Sequence, residues 1–178
     1  MTNLIIQFEP YSYWETRAVA DARRATQPQY MHGMTEILQA EAPMQALHLF
    51  QTYAKAGGLM KIAAPVKSRM SRALWQGVKD GHIILEKETD SEVDNVDDPV
   101  GWVVRLPDMS SVRVRDLGPR SFAEIPASEL AALVLDIKAQ DEFMGRDDIY
   151  RAILDHYSLQ KLTALVRRRL NHVLEQYF

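Results

Sequence analysis

One pattern constrains this chain more than any other, because it occurs twice: an amphipathic helix, a short turn carrying a leucine, then a basic helix. The first copy runs over residues 47–59 and leads into Lys67-Ser68-Arg69-Met70-Ser71-Arg72; the second runs over 149–159 and leads into residues 161–169. In each basic helix the apolar residues recur at helical spacing. Val66, Met70, Ala73, Leu74 and Val78 form one stripe, and Leu162, Leu165, Val166, Leu170 and Val173 form the other. Each stripe needs a core to cover it, so the chain is expected to hold two small helical modules, not one long bundle.

The residues between these copies supply boundaries. Leu4, Ile5, Ile6 and Phe8 predict a strand that Pro10 ends. Residues 14–24 are expected to be helical, and Gln27-Pro28 reads as a break. A helix is predicted over 34–42. Pro43 suits the first position of a second helix, which Gly57-Gly58 stops, and Pro65 precedes a third over 66–79. Residues 82–85 and 100–106 read as strands around an acidic loop, 86–98. Three helices followed by a hairpin is the order of a winged helix. Residues 107–127 hold three prolines and read as a linker, with Val112-Arg113-Val114-Arg115 as a short strand inside it. Three further helices follow, with Ser128, Asp147 and Ser158 as expected caps. The fold class is therefore mainly α with a small β component: tandem winged-helix-like modules, the second lacking a wing because the chain stops at Phe178. The expected division is an N-terminal strand and arm (1–32), a winged module (33–106), a linker (107–127) and a wingless module (128–178).

Composition bounds the function. The 178 residues suit one domain or two very small ones, and the 47% of hydrophobic residues permits a packed core. The absence of Cys excludes disulfides, thiolate metal sites and a Cys nucleophile, and fits a cytoplasmic setting. Residues 1–8 carry no basic, long apolar leader, so no secretory signal is expected, and no apolar run approaches the ~20 residues of a membrane span. The formal net charge of -3 hides a segregation. Seven acidic residues and one basic one lie in 86–98, whereas 61–79 holds five basic residues and no acidic one. Screening confines each charge to about 8–10 Å, so a basic patch can bind phosphate on a slightly acidic chain.

The second copy also resembles a known family. The segments Phe122-Ala123-Glu124-Ile125-Pro126-Ala127-Ser128-Glu129-Leu130, Met144-Gly145-Arg146-Asp147-Asp148-Ile149-Tyr150 and 159–170 are similar to a domain of unknown function at the C-terminal end of large bacterial superfamily-1 helicase proteins, which are associated with nuclease domains and restriction-like defence. That pattern has two prolines at its opening where this chain has Pro126-Ala127, and a glycine in its last turn where this chain has Ser158-Leu159. The first copy matches through Glu41-Ala42-Pro43-Met44 and residues 64–74. The chain has no G-x-x-x-x-G-K-[ST] phosphate loop. The resemblance thus implies a DNA-associated accessory module and not a motor.

The candidate DNA-binding residues lie on the two basic helices: Lys67, Ser68, Ser71, Arg72 and Lys79 in the first, and Lys161, Arg167, Arg168 and Asn171 in the second. Arginine reaches both phosphates and guanine edges, asparagine suits adenine, and small hydroxyls let a backbone come close. A merely solvated charged face is the competing reading at both helices. The acidic loop 86–98 opposes DNA at the wing tip and favours a protein-interaction scaffold, dimerising or seated in a larger complex. No catalytic residue, metal site or cofactor is expected. The five histidines show no ligand spacing, the acidic loop lacks a calcium-loop pattern, and Glu86-Lys87-Glu88, similar to a nuclease carboxylate–lysine pair, lacks an acidic partner on an adjacent strand. A nuclease remains a third reading. Trp75 and Trp102 are expected in core or hairpin packing in preference to serving as base-stacking platforms, and Trp14 with Tyr11 and Tyr13 in burial against the first module in preference to contact with a partner.

Overall fold

The computed structural model describes residues 8–88 and 99–178. Those residues are mainly helical with one small three-stranded antiparallel sheet, and they divide into two compact units. One unit is Ser12–Ser111; the other joins residues up to Tyr11 with Val112–Phe178.

In the unit Ser12–Ser111 the order is α1 (Gln27–Glu41), β1 (Met44–Gln45), α2 (Ala46–Ala56), α3 (Ala64–Lys79), β2 (Ile84–Glu86) and β3 (Val103–Arg105). The sheet order is β1-β3-β2, with Met44 opposite Val104 and Leu85 opposite Val104 on the other side. Gln27-Pro28 opens α1 instead of breaking the chain. Proline has no N–H to leave orphaned in a first turn, and the Gln29 carboxamide oxygen accepts from the Thr26 backbone N–H at 2.9 Å. Pro43 likewise does not start a helix. It precedes the two residues of β1, and α2 begins at Ala46, whose N–H donates to the Trp102 carbonyl at 2.9 Å.

No helix forms over 14–24. This segment is a strap that ends in a local turn, with the Arg24 N–H donating to the Asp21 carbonyl at 2.9 Å, and several of its other backbone groups bond to distant side chains. The Trp14 N–H donates to Glu41 Oε1 at 3.0 Å, the Tyr53 hydroxyl to the Ala20 carbonyl at 3.0 Å, and the Tyr30 hydroxyl to the Ala22 carbonyl. Trp14 is buried as expected while Tyr13 is exposed. The core beneath the strap includes Met34, Ile37, Leu38, Leu49, Phe50, Tyr53, Met70 and Leu74. Gly33 permits the close approach of α1 and α2: a Cβ there would stand 2.5 Å from Tyr53 Cε2.

Burial raises the Tyr53 hydroxyl to about 12, with Tyr30 adding to the effect, and Tyr30 is itself raised by burial. Their protonated forms are thus favoured by folding. The stabilisation is complete below pH 10 and is lost as pH rises from 10.0 towards about 12. Urea midpoints should therefore fall steeply over that window. Tyr53→Phe should flatten the fall, while costing roughly 1 kcal/mol at neutral pH through its lost hydrogen bond. An equally steep alkaline loss in the variant would refute the assignment.

The other unit contains α4 (Ala127–Gln140), α5 (Arg146–His156) and α6 (Ala164–Tyr177), with a short 3-10 helix at Phe122–Glu124. The stretch expected as a linker is largely structural here. Val114, Arg115, Arg120 and Phe122 are buried, and Glu9 pairs with Arg115 in a parallel bridge, its N–H donating to the Val114 carbonyl at 3.0 Å. Ser128 lies inside the first turn of α4, not at its cap. Gly145 flanks α5, and Asp147 falls in the first turn with Asp148, where the helix dipole favours a negative charge. Ser158 is not the cap of α6 either: it adopts a positive φ of 54° in the turn after α5. Thr163 takes the cap role, its Oγ1 accepting from Val166 N at 3.3 Å. The inward face of α6 is Val166, Arg169, Leu170 and Val173, with Leu165 exposed.

A buried ionic cluster holds this unit's irregular segments to α4. Glu129 accepts from Arg120 Nη1 at 2.7 Å and Nη2 at 3.0 Å, from Arg115 Nη2 at 3.3 Å and from the Arg115 backbone N–H at 3.1 Å. Both guanidiniums stack on Tyr11, 5.1 and 5.0 Å from its ring centre. Burial works against both charges. For Arg120 the hydrogen bonds and charge of Glu129 more than offset it, raising its pKa, whereas in Arg115 burial weighs more and lowers it. Gly118, at φ +59°, passes under Tyr11 where a Cβ would meet the ring at 2.4 Å.

The strand expected at Leu4–Phe8 and the wing tip lie, except for Phe8 and residues 86–88, outside the described residues. No helix among the described residues is long and apolar enough to cross a membrane.

Candidate nucleic-acid interface

The α3 helix buries Val66, Met70, Ala73, Leu74 and Gly77, which fixes the direction of its opposite face. Ser68, Arg69, Arg72, Trp75 and Lys79 are exposed there, following the helical repeat over three turns. Lys67 and Ser71 are half-buried at the margins. The face carries no carboxylate until Asp80, which accepts from the Gln76 side chain at 2.8 Å. Arg69 donates to the Arg23 carbonyl at 2.5 Å, which leans its guanidinium towards the strap. Arg23 itself is engaged by Asp21, whose carboxyl its hydrogen bond holds down to about 2. The exposed cations of this candidate face therefore come mainly from α3.

The matching face of α6 is different. Arg167 and Arg168 are exposed, but Arg169 is buried and donates to the Ile125 carbonyl. Lys161 precedes the helix. Asn171 is half-buried, and its carboxamide oxygen accepts from the Tyr150 hydroxyl, which occupies one lone pair of the acceptor that a bidentate contact with adenine uses and ties the side chain to α5. Arg167 shares a cleft of about 420 Å³ with Asp147 and Asp155. The four residues expected on α6 do not converge on one basic face.

Two of the seven acidic side chains of 86–98 fall within the described residues. Glu86 pairs with Arg105 at 2.9 Å, and Glu88 is buried. The other five lie outside them. Glu86-Lys87-Glu88 does not offer two open carboxylates for a nuclease metal. Among the described residues no group of three or more His, Asp or Glu is placed to hold a metal ion. His48 sits 3.7 Å from the buried Glu41, and His156 contacts the Arg115 carbonyl at 3.2 Å and the rings of Phe8 and Tyr157.

Two members of the α3 face, Arg69 and Trp75, were not assigned to DNA contact from sequence. Arg69 follows Pro65 by four residues and precedes Arg72 by three, a spacing that would have placed it. Trp75 packs edge-to-face on Trp102, with centroids 5.6 Å apart, yet remains 40% exposed. No family model, curated protein or solved structure matches the chain.

Proposed function

We propose that this chain is a DNA-binding accessory or regulatory protein whose contact helix is α3. The observation that carries the reading is the outward face of α3, where three exposed cations and a serine lie on one side of a helix held down by its apolar stripe. The order helix, strand, two helices and a strand pair, with β1 added to the hairpin, supports a winged-helix module in which α3 is the presented helix. The unit with α4, α5 and α6 is its wingless counterpart. The resemblance to the C-terminal domain of helicase–nuclease defence proteins supports an accessory role beside DNA-processing enzymes, and we take the chain to be cytoplasmic and non-catalytic.

A second reading concerns the α4–α6 unit. Leu135 on α4, Leu165 on α6 and Phe143 are exposed, and Phe143 is 93% so. Apolar side chains on the outside of a small unit favour a protein partner or a homodimer. Light scattering that finds a dimer, dispersed by Leu135→Glu with Leu165→Glu, would support this scaffold role.

The two helices can be compared directly by electrophoretic mobility at low salt with a short duplex. Arg69→Ala, Arg72→Ala and Lys79→Ala together should weaken binding at least tenfold. Arg167→Ala with Arg168→Ala should weaken it less than threefold, each cation contributing through phosphate neutralisation. The reverse order of effects would move the interface to α6, and no retardation of wild-type protein would dispose of the reading.

A further inference from the structure

Trp75 sits where an ordinary solvated helix face would carry a polar residue. It lies between Arg72, one turn earlier, and Lys79, one turn later, both exposed. At 1.5 Å rise per residue these cations stand about 10 Å apart along α3 with the indole between them. The indole is held in place. Its partner Trp102 meets it at an interplanar angle of 79°, and the Trp102 backbone is pinned at both ends. Its N–H donates to the Pro99 carbonyl at 2.9 Å and its carbonyl accepts from Ala46 N at 2.9 Å. Lys87 Nζ lies 5.9 Å from the Trp102 ring centre and adds a third cation beside the pair.

An exposed, immobilised aromatic flanked by cations is the arrangement that binds unpaired nucleotides. A base in a duplex has both π-faces covered by its neighbours, whereas an unpaired base offers one for stacking. We infer that the α3 surface takes single-stranded DNA, or the unpaired end of a duplex, by stacking one base on Trp75 while Arg72 and Lys79 hold the adjacent phosphates. This inference rests on the reading of α3 as the DNA-contacting helix and names the form of DNA that the helix takes. The preorganised ring loses little conformational freedom on binding, so the stacking energy is not spent on ordering it. The two phosphate-binding cations act on any DNA; the ring supplies the discrimination.

The test compares a mixed-sequence DNA strand with the duplex of the same sequence, by fluorescence anisotropy at low salt. Wild-type protein should bind the strand at least tenfold tighter than the duplex, and the strand should quench indole fluorescence while the duplex does not. Trp75→Ala should lose roughly fivefold to a hundredfold in strand affinity, with duplex affinity changed less than twofold. Trp75→Phe, which keeps a ring, should retain most of the strand preference. Should Trp75→Ala lose its far-ultraviolet helical signal, the wild-type quenching contrast and the Trp75→Phe variant decide the matter. Equal affinity for strand and duplex, or a Trp75→Ala variant that keeps the strand preference, would overturn the inference and leave α3 as a duplex-binding helix. Failure of wild-type protein to bind either form would overturn both.

Discussion

Glu129→Ala is expected to cost the α4–α6 unit about 3–5 kcal/mol, the usual penalty for stranding a buried charge by removing its partner. Here one carboxylate serves two guanidiniums, and all three side chains are at most 2% exposed. Removing it leaves two like charges in the interior, no longer bridged by a shared carboxylate, although the Tyr11 ring lies over both and the carbonyls of Leu117 and Asp116 still accept from Arg120. Small domains have about 5–15 kcal/mol in total, so the variant should be largely unfolded in this unit at modest denaturant. Glu129→Gln keeps an acceptor oxygen without the charge and should fall between. Far-ultraviolet dichroism in guanidinium chloride reads both. An unshifted transition for Glu129→Ala would mean that the cluster does not hold Tyr11 and the 112–120 segment to α4.

Leu74→Ala is the corresponding test of the unit Ser12–Ser111. Leu74 is wholly buried in the cluster that includes Met34, Leu38, Phe50 and Met70. Truncation removes its apolar contacts and leaves a cavity that the surrounding helices fill only in part, at about 2–5 kcal/mol. The substitution lies on the inner side of α3, so it touches no outward side chain, yet DNA affinity should fall in step with the folded fraction. Affinity that stays at the wild-type value at a temperature or denaturant concentration where the variant is mostly unfolded would show that contact does not require α3 to be docked.

The helix order could be read from the chain because it is written locally, in apolar periodicity and in Gly and Pro breakers. What depended on distant partners could not. The strap over 14–24 has helix-compatible composition, but several of its hydrogen bonds come from Tyr30, Glu41 and Tyr53, the last 33 positions away from Ala20. Arg115, Arg120 and Glu129 looked like charges of a linker and a helix start because nothing within their own segments shows that they meet. At α6, Lys161 falls before the helix and Asn171 is engaged by the Tyr150 hydroxyl 21 positions away, which the local sequence does not show, so the expected basic surface there is broken. The face of α3 was legible because its start, at a proline, and its apolar stripe agree.

The most direct test of α3 as the DNA contact is the salt dependence of wild-type affinity, compared with the Lys67→Ala, Arg69→Ala, Arg72→Ala and Lys79→Ala variant. Each phosphate neutralised contributes about −0.9 to the slope of log affinity against log salt for duplex DNA, and about −0.7 for a single strand. The three exposed cations of the face, with Lys67 at its margin, predict a wild-type slope of roughly −2 to −4, with most of it gone in the variant. A slope near zero in wild-type protein, or a variant that keeps the full slope, would contradict the account.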